Sequence, residues 1–172
     1  MDKFQEIRPY QDAEVATVLA SLLRDSDMLD SIAHFYAPKL SRILPFLTRR
    51  LANYTLTKQL RGVDSIRAIQ HVIAKYMDKM IEETTTSLTH SGLENLNPDR
   101  SYVFICNHRD IAMDPAFVNY MLYHAGFETL QIAIGDNLLK KPFVSDLMRL
   151  NKSFIGQMSR ASWRASSRDL RY

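Results

Sequence analysis

The run Tyr102-Val103-Phe104-Ile105-Cys106 passes directly into the polar pair Asn107-His108, and Asp114-Pro115 then opens a helical pattern through Phe117, Val118, Met121 and Leu122. Aromatic, β-branched and thiol side chains in succession suit a strand buried on both faces, with the polar pair marking its carboxyl end. Asp114 reads as the N-cap of the following helix and Pro115 as its first residue. A strand, a short exit and a helix make the repeating unit of an α/β fold. The remaining text continues it: Phe127 to Ile134 predicts a second strand, Asn137 to Leu150 a helix broken at Pro142, and Ser153 to Ile155 a third strand. The expectation is a partial mixed sheet flanked by helices. Such a sheet ends on an edge built from Phe154 and Ile155, which predicts poor solubility or dependence on a partner chain.

Residues 1–85 read as a helical N-terminal region. Val15, Val18, Leu19, Leu22 and Leu23 recur at helical spacing, and Asp25-Ser26-Asp27 interrupts them and caps a second run of Met28, Leu29, Ile32, Phe35 and Tyr36. Pro38 ends that run. A third carries Leu40, Ile43, Leu44, Leu47, Leu51 and Tyr54 along one face, interrupted by Pro45, with Arg42, Arg49 and Arg50 among the polar positions. Two readings fit it: a helix lying on a membrane surface, or an ordinary helix packing that face on a neighbour. The fourth run, Val63 to Ile81, is long and amphipathic, and its methionines and tyrosines read as core. Thr86 to Ser91 alternates like an edge strand before a turn at Gly92.

Composition narrows the function classes. At 172 residues and 46% hydrophobic the chain can bury a core. One cysteine allows no internal disulfide, which fits a reducing compartment. The start Met-Asp-Lys-Phe-Gln-Glu lacks the basic-then-apolar order of a leader, and no apolar stretch reaches the ~18 residues of a spanning helix. The expected location is cytoplasmic, at most peripheral on the inner face of the membrane. The net charge of +3 is carried by residues 156–172, leaving the body neutral and without the basic stripe that nucleic acid requires. That tail holds four arginines, four serines and the only tryptophan, Trp163. It reads either as a basic arm for anionic lipid or as disordered, unrelated sequence such as a fragment end or frameshift leaves. The domain expectation is 1–85 helical, 86–155 α/β, and 156–172 outside both. His34, His71, His90 and His124 share no metal-ligand spacing, so no metal is expected.

A histidine at a strand end with a carboxylate nearby is a general base in waiting, because the carboxylate fixes the tautomer and stabilises the imidazolium. His108 is that histidine. Asp114 and Asp110 both qualify as the carboxylate, and only Asp114 has the helix-start context. Cys106 falls two residues before His108, on the same face of a strand, so a thiol nucleophile is the other option; a lone cysteine in an apolar strand is more often packing.

Gly92-Leu93-Glu94-Asn95-Leu96, then Tyr102 through Asn107-His108-Arg109-Asp110-Ile111-Ala112-Met113-Asp114, resembles the first block of the glycerolphosphate and 1-acylglycerol-3-phosphate acyltransferases. In that family a glycine-led turn precedes a hydrophobic strand ending in Asn-His, with an Asp at the head of a helix. Leu138-Leu139-Lys140-Lys141-Pro142-Phe143 and Arg149-Leu150-Asn151-Lys152-Ser153-Phe154-Ile155 resemble the segment leading into its second block. The likeness covers roughly residues 86 to 155.

The resemblance implies phospholipid biosynthesis: a fatty acyl group moves from acyl-CoA or an acyl carrier protein to the hydroxyl of glycerol-3-phosphate or a lysophospholipid. His108 would be the base and Asp114 its partner, with Asn107, Arg109 and Lys152 as weaker substrate-binding candidates and no cofactor beyond the acyl donor. The chain departs from the family in three places. Five residues separate His108 from Asp114 where four are usual, Ile155 is followed by Gly156-Gln157-Met158-Ser159 without the customary basic residue, and no Phe-Pro or Glu-Gly dipeptide occurs to form the phosphate-binding Phe-Pro-Glu-Gly turn. A non-catalytic module that binds lipid or carrier is therefore the alternative expectation.

Overall fold

Residues 4–107 and 109–156 are described by a computed structural model. They are mostly helical and carry one small, two-stranded parallel sheet. Two compact units divide the chain, Met1–Ile69 together with Ala133–Tyr172, and Gln70–Ile132.

The first unit begins with α1 (Asp12–Leu22), which buries Val15, Leu19 and Leu22 along the predicted face. The Glu14 carboxylate accepts the Gln11 N–H at 2.8 Å and so satisfies a donor at the helix start. It also takes two bonds from the Arg8 guanidinium at 2.8 and 3.0 Å, which hold its carboxyl below the ordinary range. Asp25 caps α2 (Ser26–Tyr36), accepting the Met28 N–H at 2.9 Å, as the sequence predicts. Pro38 and Pro45 then each close one helix and open the next, giving α3 (Pro38–Ile43) and α4 (Pro45–Gln59). Proline lacks the N–H that a helix interior needs, but at a first turn that donor has no partner anyway.

α2, α3 and α4 pack on one another, and α4 does so by an unexpected side. Its buried residue is Thr48, whose hydroxyl donates to the Leu44 and Pro45 carbonyls at 3.1 and 3.0 Å. Arg49 forks onto Asp30, with Nε at 2.7 Å, and Asn53 donates to the Leu23 carbonyl. The expectation that Leu40, Ile43, Leu44, Leu47, Leu51 and Tyr54 pack on a neighbour is therefore corrected. All six are exposed or nearly half so, Ile43 at 74% and Tyr54 at 68%. Directional polar bonds to α2 and the α1–α2 turn fix which way α4 faces, and its apolar side turns outward.

β1 (Ile132–Gly135) pairs with β2 (Ser153–Gly156), and between them a 3-10 turn at Asp136–Leu138 precedes α7 (Pro142–Leu150), so the break at Pro142 falls where expected. Leu150 and Ser153 are the best buried residues here, at 2% and 1% exposure, and Ser153 Oγ has no hydrogen-bond partner among the described residues. The β2 edge is not left bare. Ile155 N–H donates to the Ile7 carbonyl at 2.8 Å, so the N-terminal segment lies along it and the expected free edge is corrected at that residue. Buried Arg149 fixes the same segment, donating from Nε to the Arg8 carbonyl at 2.8 Å, from Nη2 to the Gln5 carbonyl, and from Nη1 to the Tyr10 hydroxyl at 3.1 Å. Its guanidinium also lies 4.0 Å from the centre of the Tyr10 ring. Tyr10 in turn donates to Asp146 Oδ1 at 2.6 Å.

α5 (Ile66–Thr84) starts in the first unit, where Asp12 Oδ1 accepts the Ile66 N–H at 2.7 Å, and runs on through Thr84 in the second. Within the second unit α6 (Met113–His124) is tied to it by polar contacts. Asp78 Oδ1 accepts the Tyr120 hydroxyl at 2.9 Å and lies 3.0 Å from His124 Nε2, while His71 Nδ1 meets the Tyr123 hydroxyl at 2.8 Å. These two histidines are exposed and bonded to α5 or α6 side chains. Gly126 closes α6 in a left-handed conformation, φ +81°, with Phe127 N–H reaching back to the Leu122 carbonyl at 2.9 Å. Gly92 likewise takes φ +95° and leads a 3-10 turn at Leu93–Asn95, as its sequence context predicts.

Three strand expectations are corrected. Thr86 to Ser91 forms no strand, the second strand is confined to Ile132–Gly135, and Tyr102 to Cys106 belongs to no helix or sheet. Exposure along that run still alternates, with Val103 at 88% and Ile105 at 92% against 40% for Tyr102 and 44% for Phe104. A strand exists only through the ladder bonds of a neighbour, and among the described residues no neighbour pairs with this run.

Candidate functional site

The stretch from Asn107 to Asp114 is organised by two carboxylates. Asp110 Oδ1 accepts the N–H groups of Ala112 and Met113, both at 2.8 Å, and thereby caps the start of α6. Asp114 sits inside the first helical turn and its side chain reaches backward: Oδ2 accepts Arg109 N–H at 2.7 Å and Asp110 N–H at 3.2 Å. The cap expected of Asp114 is performed by Asp110. Pro115 occupies the third position of α6 rather than the first, still within the turn whose N–H groups lack helical partners. An Asp three residues ahead of the first helical residue is a capping signal in its own right. In the sequence the Asp-Pro pair downstream outweighed it.

Seating a carboxylate on two consecutive backbone N–H groups holds its negative charge against the loop and fixes its direction. Arg109 immediately follows His108, so the Asp114 carboxylate is anchored to the backbone next along the chain from that histidine. His108 itself lies outside the described residues. Asp114 Oδ1 has no partner among the described residues, which leaves one carboxylate oxygen for a further donor. Asn107 and Arg109 are exposed, on either side of position 108. Cys106 is exposed too, so its expected burial in an apolar strand is corrected.

The described candidates thus fall into two groups. Arg109, Asp110 and Asp114 share one hydrogen-bonded loop with Asn107 just before it. Lys152 belongs to the other compact unit, in the turn between α7 and β2, where it adopts φ +60°, an uncommon conformation for a residue with a side chain. Among the described residues, no three of His, Cys, Asp and Glu are grouped to hold a metal ion, and no helix is long and apolar enough to cross a membrane. A cleft of about 250 Å³ lies elsewhere, lined by Asp30, Ala33, His34, Ser41, Arg42, Pro45 and Thr48 of the α2–α4 region. Trp163 and the rest of 157–172 lie outside the described residues.

Residues 87–170 match the family model described as Acyltransferase. The N-terminal helices α1 to α4 precede this matched segment. The match encloses the whole Asn107–Asp114 loop, continues past residue 155, and takes in parts of both compact units. No curated protein and no solved structure matches the chain.

Proposed function

We propose that this domain transfers a fatty acyl group from acyl-CoA or acyl carrier protein to the hydroxyl of glycerol-3-phosphate or a lysophospholipid, with His108 as general base and Asp114 as its positioning carboxylate. The observation that carries the reading is the seat of Asp114. Its Oδ2 is held by the two N–H groups that follow His108, inside the segment that matches the acyltransferase family. Asp110, whose Oδ1 accepts the Ala112 and Met113 N–H groups at the start of α6, is the alternative carboxylate.

In this reading His108 takes the proton of the acceptor hydroxyl as the oxygen attacks the thioester carbonyl carbon. The tetrahedral intermediate collapses with cleavage of the C–S bond, and the imidazolium returns its proton to the departing thiolate. The products are an ester and a free thiol, with no acyl-enzyme. Asp114 stabilises the imidazolium in the same way that the aspartate of a serine hydrolase triad does. Arg109, exposed and next in sequence to the base, would meet the acceptor's phosphate. Asn107 and Lys152 are further candidates for substrate contact.

The test is thioester-dependent acylation of lysophosphatidic acid and of glycerol-3-phosphate by the full chain, read as thiol release. His108→Ala is expected to abolish turnover, and Cys106→Ser to leave it within about twofold, as for an exposed side chain outside the chemistry. Turnover that survives the alanine change would sink the proposal. Loss on Cys106→Ser would move the chemistry to the thiol.

A further inference from the structure

The first unit turns a large apolar surface outward on three successive short helices. Phe35 and Tyr36 at the end of α2, Ile43 on α3, and Phe46, Leu47, Leu51 and Tyr54 on α4 are all more than half exposed. Leu47, Leu51 and Tyr54 follow the i, i+4, i+7 spacing of one helix face. The opposite side of α4 is the one that packs, through Thr48, Arg49 and Asn53. Water-facing helices ordinarily show the reverse arrangement. Leaving this much apolar area in water costs free energy unless something covers it.

Charge identifies the cover. From Ser31 to Val63 there are six basic residues, Lys39, Arg42, Arg49, Arg50, Lys58 and Arg61, and no Asp or Glu. Arg49 is taken by Asp30, while the other five are exposed. Arg50 lies with its guanidinium 6.0 Å from the centre of the Phe46 ring, so cation and apolar group share one patch. A folded protein partner would more often be met by a patch of mixed sign. Exposed Leu, Ile and Phe beside unopposed Lys and Arg, with tyrosines at two ends, match the chemistry of a bilayer interface that presents anionic headgroups over acyl chains. Neither α3 nor α4 is long and apolar enough to cross that bilayer.

We propose that α3, α4 and the end of α2 form a docking surface for an anionic lipid membrane, with Ile43, Phe46, Leu47 and Leu51 entering the acyl boundary and Arg42, Arg50 and Lys39 meeting lipid phosphates. The surface stands independently of the acyltransferase chemistry, because it consists of residues outside the matched domain.

Flotation of the full chain with vesicles tests it. Vesicles of phosphatidylcholine with about a third phosphatidylglycerol should carry the protein, whereas pure phosphatidylcholine vesicles should carry far less, and added salt should weaken the anionic binding. The triple change Ile43→Ser, Phe46→Ser, Leu51→Ser affects only exposed side chains and should keep the circular dichroism spectrum while binding falls on the order of tenfold or more. Arg42→Glu with Arg50→Glu should remove the preference for anionic vesicles. Failure of the unaltered chain to float, or undiminished flotation of the triple variant, would overturn the proposal, the second result assigning lipid binding to another part of the chain. A self-associated species that the triple change dissolves, without vesicle binding, would overturn it in favour of a second copy as the occupant. Vesicle binding requires no turnover, so a failed acylation assay and a failed flotation assay are separate results.

Discussion

Asp110 and Asp114 show how two like residues four positions apart acquire different work. Asp110 is local: its oxygen satisfies the first N–H groups of α6, a bond type that contributes about 1 kcal/mol when the cap is a short carboxylate. Asp114 is spent on the backbone that follows His108 and does nothing for its own helix start. The two substitutions should therefore separate. Asp114→Asn keeps an acceptor for the Arg109 and Asp110 N–H groups yet removes the charge, so turnover should fall on the order of a thousandfold or more with little change in melting temperature. Asp110→Ala should lower stability by about 1 kcal/mol and leave kcat within about tenfold. Kinetics and thermal denaturation of both variants decide the assignment, and the reverse pattern would give Asp110 the positioning role.

Among the helices, α4 departs furthest from periodicity-based expectation. Its apolar stripe was visible, but which side of a helix faces inward depends on what the neighbours offer. Here α2 and the α1–α2 turn offer Asp30 and the Leu23 carbonyl, and these select the side bearing Arg49 and Asn53. Removing the Asn53 amide should leave a carbonyl short of its donor and cost about 1 kcal/mol, whereas Leu51→Ser on the outward face should change stability by no more than about 0.5 kcal/mol. Urea denaturation of Asn53→Ala and Leu51→Ser checks this inversion of the usual polar and apolar sensitivities. By contrast α1 keeps the face its sequence predicts, burying Val15, Leu19 and Leu22, and α2 keeps only the start of its predicted run, burying Met28 and Leu29 while Phe35 and Tyr36 are exposed.

Across the first compact unit, the chain closes on itself through Tyr10, Asp146 and Arg149, which join segments more than 130 positions apart. The acyltransferase match begins at residue 87, yet Arg149 within it is satisfied by Gln5, Arg8 and Tyr10. The helical region is thus structurally continuous with part of the domain it precedes. Burial, with the bond to Asp146 next in weight, pushes the Tyr10 phenol from 10.0 up to about 12. A folded-state value above the unfolded one means that the protonated phenol supports the fold fully below pH 10, and that this support is lost as pH rises to about 12. Thermal melts across that window should show a steep decline that Tyr10→Phe flattens, although the variant begins about 1 kcal/mol less stable at neutral pH.

Local order was legible in the amino acids. The caps at Asp25, the proline boundaries at Pro38, Pro45 and Pro142, the glycine turn at Gly92 and the helical periods each depend on neighbours a few positions away, and the chemistry of those neighbours is written in order along the chain. Asn107-His108 with a nearby carboxylate was legible for the same reason. Tyr102 to Cys106 had every local mark of a strand but became one only on paper, because a ladder needs a second chain segment whose approach no local pattern specifies. The outward face of α4, the Ile7 carbonyl beside β2 and the Arg149 bonds to the N-terminal segment belong to the same class. Each pairs groups distant in sequence, so each was settled by which surfaces met when the chain closed.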